Sequence, residues 1–274
     1  MRGARDDVLS GGRVTGLTRE TKRRGDIEWH AYHCHIHDCG GLPGCTTIIN
    51  KKAKPQLERW FKKQGALAAI RNIEGLPKLL ETIGEDALAE AMGKASDKLR
   101  DDKGDSGTRI HAVIEAIFKQ RPYGVEDDIG ASIEGFRKWA NDRRPEIKAS
   151  EFMVISETHR YGATGDAVLV TDLREWGLPH EKALILVDAK TGYLADTIAY
   201  QFAAIRWADH AGVPDDPKPY AVPPATHFAA LAVRPDGTEL VPYDVRPDTE
   251  FKAFLACRDL YEWDKTRAKE VFKR

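Results

Sequence analysis

An aspartate and a lysine two residues apart, Asp188 and Lys190, close the apolar run LILV of residues 184–187. In a strand, residues i and i+2 share a face, so this carboxylate and ammonium project together from the end of a buried strand. A surface ion pair of that kind contributes little. Beside further carboxylates it becomes chemistry. Asp166 follows the small-residue run GATG, and Glu151 opens the apolar segment EFMVISET fifteen residues earlier. Hard divalent cations such as Mg²⁺ take carboxylate and carbonyl oxygens, commonly one or two carboxylates plus water and substrate phosphate. Asp166 and Asp188 on adjacent strands, with the carbonyl of Ala189, would make such a site. Lys190 would orient or help deprotonate a water there and stabilise a developing phosphorane. Phosphate esters hydrolyse so slowly alone that an enzyme must remove about 20 kcal/mol of barrier or more.

The elements that position these residues are legible from periodicity. Residues 1–25 are polar and read as a loose arm or short extra hairpin. A hairpin follows at about 28–49, with strands HAYHCHIH and CTTII around a GGLPG turn. From Pro55 the spacing of Leu57, Trp60, Phe61, Leu67 and Ile70 predicts a helix. Two further helices, GLPKLLETIG and EDALAEAMGKASDKLRDD, reach Asp102. The segment SGTRIHAVIEAIFKQ puts Ile110, Val113, Ile114 and Ile117 on one helical face, and a helix fits 129–143. The period then becomes two: EFMVISET, GATGDAVLV and KALILVDAK are strands. DTIAYQFAAIRWADHAG is a long helix ending at Gly212, and residues 226–245 form a hairpin about Pro235-Asp236-Gly237. A helix from Asp248 closes the chain. The order is α+β around one mixed sheet flanked by helices, with a helical N-terminal region. It divides into the arm (1–25) and one domain (26–274), itself a hairpin and helical front end (26–102) and a core (103–274).

In this order the residues resemble the PD-(D/E)XK nuclease superfamily in its RecB-like branch. GD-AVLV … LILVD-AK-TG matches the superfamily core. SGTRIH resembles the G-T-x-x-H motif, whose His is a metal ligand, at His111. The following helix carries Gln201 in the position of the Gln of Q-x-x-x-Y. LPGCTTIINKKAKPQLERW is similar to the front hairpin and helix of phage-encoded RecB-like exonucleases related to the CRISPR-associated kind. The resemblance implies a restriction-endonuclease-like core and a Mg²⁺- or Mn²⁺-dependent DNA exonuclease. Its role would lie in phage recombination, replication or repair, and DNA with free ends would be its substrate. It implies His111, Glu151, Asp166, Asp188 and Ala189 as metal ligands for one or two ions. Lys190 would act on the water, and Gln201 would steady Lys190 or the strand. Glu157 is the rival to Glu151, which the fifteen-residue spacing favours. A structure-specific endonuclease and a non-catalytic DNA-binding protein on the same fold are the alternatives. Homo-oligomers and a recombination partner protein belong to the same implied setting. The chain departs from the pattern at Ile205, in place of the motif Tyr, at Ala163, where a Gly often stands, and at Cys45, which replaces a Val.

Composition adds bounds. With 274 residues, 42% hydrophobic and 31% charged, the chain can bury a full core. No apolar run approaches a membrane span and no secretion signal opens it, so the cytoplasm (a host's, were it phage-encoded) is the expected compartment. Residues 1–80 hold 15 Lys and Arg against 8 Asp and Glu, and the remainder 27 against 35. Lys51, Lys52, Lys54, Lys62 and Lys63 are the candidates for tracking a DNA backbone. Cys34, Cys39 and Cys45 stand among four histidines and invite zinc, but the spacings C-x4-C and C-x5-C are not those of common structural zinc sites. His33, His35 and His37 instead share a strand face. An iron–sulfur cluster is also set aside: the related cluster-bearing nucleases carry one early and three late cysteines, whereas here three are early and Cys257 is late.

Overall fold

The computed structural model describes residues 17–24, 27–34, 39–176, 182–212 and 220–271. A six-stranded mixed sheet, in the order β7-β4-β5-β6-β8-β9, forms its centre. These strands are β4 (Glu146–Ser156), β5 (Tyr161–Thr171), β6 (Ala183–Lys190), β7 (His210–Gly212), β8 (His227–Arg234) and β9 (Gly237–Tyr243). All neighbours run antiparallel except β6 and β8. The expected α+β class around a mixed sheet flanked by helices is what the chain adopts.

Both faces of the sheet are covered, which is why β6 reads as an unbroken apolar run. On one face lie α1 (Cys45–Ile49), α6 (Thr197–Arg206) and α7 (Lys252–Lys265), which bury Ile48, Phe202 and Phe254 against Phe152, Val168 and Leu186. On the other lie α4 (Glu85–Phe118) and α5 (Gly130–Arg143). Ile110, Val113 and Ile114 of α4 pack there with Phe136, Leu169, Val187 and Leu231. A second sheet of β1 (Leu17–Arg24), β2 (Ile27–Cys34) and β3 (Cys39–Pro43) lies against β4 and β5 through Leu17, Tyr32, Leu42, Met153 and Ile155. Gly162 makes that contact possible, because a Cβ there would overlap the Tyr32 ring. Among the described residues no helix is long and apolar enough to cross a membrane.

Several elements differ from the sequence expectation. CTTII is helix α1, not the second strand of the hairpin; the strand is CGGLP, residues 39–43. Five apolar and β-branched residues do not distinguish the two states. Burial of Cys45, Ile48 and Ile49 at helical spacing decides it. The two helices expected on either side of residues 103–105 are one 34-residue helix, α4, so the division at 102/103 falls inside it. Gly104 and Ser106 suggest a break, but Ser106 Oγ donates to the Asp102 carbonyl and Thr108 Oγ1 to that of Gly104. The helix after Lys190 stops at Arg206. His210–Gly212 is instead an edge strand on β4. The first core strand begins at Glu146, so Glu151 lies in its middle. Residues 1–16 of the expected arm, His35 and His37 lie outside the described residues.

Candidate active site

The site is built on β4, β5 and β6. Phe152 pairs with Gly165 and Ser150 with Ala167, which sets Glu151 across from Asp166. One step beyond the Ala167–Val187 pair, the same register sets Asp166 across from Asp188. Three carboxylates therefore occupy one row across three adjacent strands. The pleat breaks along this row. On β4, Phe152 and Val154 face the α6 side and so does Ala149, although strict alternation would turn it away. On β5, Tyr161 and Ala163 face that side and so does Val168, again at the wrong parity. Glu151 itself has φ = +50°, a left-handed conformation costly for a residue with a side chain. Asp166 stands at this distortion, across from Glu151.

Asp166 Oδ2 accepts the Ala189 N–H at 2.7 Å and lies 3.5 Å from His111 Nδ1 on α4. Asp188, only 1% exposed, accepts Gln201 Nε2 at 2.8 Å on Oδ1 and pairs with the Lys190 ammonium through Oδ2. The i, i+2 rule thus holds for Asp188 and Lys190. Gln201 steadies Asp188, not Lys190. Ala189 also donates its N–H to Asp166. Ile205, in the place of the motif Tyr, is buried in the core on the α6 side.

The electrostatics are those of crowded negative charge. Burial, then the charges of Asp166 and Glu115, push the Glu151 carboxyl up to about 7. Burial and the Asp188 charge push Asp166 up to about 6. Burial alone would lower Lys190, but Asp188 and Asp166 outweigh it and hold the ammonium above its ordinary value. Burial likewise raises the Cys45 thiol to about 12, which makes it an inert packing group.

A cleft of about 600 Å³ opens over the row. Arg19, His30 and Tyr32 wall it on one side, Lys103, Gly107, His111 and Glu115 of α4 on another, and Glu151, Asp166, Thr191 and Gln201 form the floor. Asp188 lies beneath. Among the described residues no three His, Cys, Asp or Glu side chains converge as a ready ligand cluster, since each aspartate is turned toward N–H donors. The donor set nevertheless fits a hard divalent ion: Glu151, Asp166 and His111 face one cleft, Asp188 lies just beneath them, and the carboxylates repel one another. Glu157 is paired with His210 away from this row.

The five candidate lysines sit elsewhere. Lys51 pairs with Asp264 on α7. Lys52 binds Asp196 at 2.6 Å and lies over the Tyr200 ring, and Lys54 donates to Asn50. Lys62 and Lys63 stand exposed on α2 (Pro55–Arg71). None lines the cleft, whose lysine and arginine lining is Lys103 and Arg19. Sequence reasoning missed Glu115, which a His111-x3-Glu115 spacing on one helical face would have revealed. Burial opposes its charge, but Lys119 and Arg121 hold it below its ordinary range. Arg19 carried no local signal. Its place depends on β1 packing on β4, from where the guanidinium donates to Thr164 Oγ1 of β5 at 3.1 Å. Compared with models of protein families and with curated proteins, the chain matches none of them.

Proposed function

We propose that this chain is a divalent-metal-dependent phosphodiesterase acting on DNA, and specifically an exonuclease. The observation that carries the reading is the row Glu151-Asp166-Asp188: Glu151 and Asp166 lie on the floor of an open cleft, and the Asp188–Lys190 pair lies beneath it. Glu151, Asp166 and Asp188 would hold the ion, with His111 completing the set. When bound, the ion supplies charge neutralisation at the scissile phosphate and lowers the pKa of water. Gln201 and the Ala189 N–H fix the rotamers of Asp188 and Asp166, so the carboxylates are oriented before substrate arrives. Lys190, kept cationic by the two aspartates, positions the attacking water and stabilises charge gathering on the phosphate. Arg19 and Lys103 attract the strand to the cleft.

The test offers end-labelled linear and covalently closed circular DNA to the purified protein, with Mg²⁺, with Mn²⁺ and with chelator. Metal-dependent loss of linear DNA alone is the expected result. Cutting of circles would replace the exonuclease reading with an endonuclease. DNA binding with no cleavage under either metal would replace it with a binding protein on this fold.

A further inference from the structure

Beyond Lys190 the chain runs through the loop Thr191–Asp196 into α6. In this loop Tyr193 is 73% exposed, the most exposed of the large apolar and aromatic residues among those described. The exposure is not that of a loose loop. At its start, Thr191 Oγ1 packs against Gly107 of α4, where an added Cβ would stand 3.0 Å from it. Leu194, the next residue after Tyr193, packs into the core beneath α6. At its end, Tyr243 donates its hydroxyl to the Ala195 carbonyl at 3.2 Å, and Lys52 holds Asp196 at 2.6 Å. A loop tied at four points therefore holds an aromatic ring out into water, against the usual preference to bury such a surface.

Its position gives that ring a use. It stands three positions after Lys190, a span of at most about 10 Å of chain. That chain span reaches the nucleotide flanking a phosphate held beside Lys190. An aromatic face on a rigid support is a stacking platform for a nucleobase and tolerates any base.

We infer that Tyr193 stacks on the unpaired base flanking the scissile phosphate, so that the site takes a strand single-stranded at the point of cleavage. This rests on the hydrolase reading above. A duplex keeps that base stacked within the helix, where the ring has no face to meet.

The test is a cycle between protein and strand, on a Lys190→Ala background with Ca²⁺ so that the oligonucleotide stays intact. Affinity for a labelled oligothymidylate is measured for Tyr193, Tyr193→Ala and Tyr193→Phe, and repeated with one abasic nucleotide moved stepwise along the strand. Alanine weakens binding about tenfold while phenylalanine retains it. At one position the abasic nucleotide costs the parent as much as the alanine does, and the two losses do not add. Losses that add at every position, or an alanine variant that binds like the parent, would overturn the stacking and leave the hydrolase reading standing. Absence of strand binding by the parent would overturn both.

Discussion

Glu151 is the place to ask whether the carboxylate row is arranged for an ion or for the fold. Its carboxyl is pushed from an ordinary 4.5 up to about 7, by burial first and then by Asp166 and Glu115. Between those two values the folded chain keeps a proton that the unfolded chain has released. Stability therefore falls as pH climbs through that window, and the full penalty is present above pH 7. The displacement corresponds to roughly 3 kcal/mol at pH 8. Because Glu151 is only half-buried, solvent screening reduces this to about 1–2 kcal/mol. Glu151→Gln removes the charge and keeps the shape. Metal-free Glu151→Gln at pH 8 should accordingly melt about 2–8 °C above the parent, given some 2–4 °C per kcal/mol for a chain of this size. At pH 4.5 the difference should vanish, and Mg²⁺ should narrow it at pH 8 by stabilising the parent alone. Thermal melts in chelator at both pH values measure this. A variant less stable than the parent at pH 8, or a difference that ignores pH, would refute the assignment of strain to this charge.

Other outcomes follow from the same geometry. Gln201→Leu leaves Asp188 Oδ1 without its N–H donor in a buried setting, which should cost about 1–3 kcal/mol in urea melts. It should also lower cleavage about 10–100-fold, as loss of a ligand's supporting partner does. Gly165→Ala places a Cβ 2.6 Å from the Phe152 ring, and overpacking should destabilise by about 1–3 kcal/mol at the strand pair that carries Glu151 and Asp166. Arg19→Ala and Lys103→Ala should each weaken DNA binding and reduce the salt slope by about one, while Lys62→Ala and Lys63→Ala leave both unchanged. Binding titrations across a salt series decide between the two sets.

The class of the fold was legible in the sequence, and so was the shared face of Asp188 and Lys190. Asp188 and Lys190 follow from a period of two, and burial of LILV follows from its uniform apolarity, so their shared face needed no tertiary information. His111 and Gln201 came from resemblance, and the placements of both beside the aspartates are the geometry that gives the row its shape. Glu151 was placed at a strand start because a break in alternation looks like an end; it is a distortion inside a longer strand. Arg19 and the lysines show the opposite limit. Charge alone marks a solvated surface, and which cations meet the cleft depends on Arg19 reaching Thr164 and on Lys51 and Lys52 finding Asp264 and Asp196, all contacts distant in sequence. Helix α1 and strand β7 were misread because short apolar runs take the state that their burial rewards.

The central claim is that the carboxylate row with Lys190 hydrolyses phosphodiesters. Single-turnover cleavage of end-labelled linear DNA by the parent and by Lys190→Ala, in Mn²⁺ and at matched DNA occupancy, tests it most directly. The parent should release labelled product while Lys190→Ala binds the same DNA and releases none. Equal cleavage by the two proteins, or none by the parent with either Mg²⁺ or Mn²⁺, would contradict it.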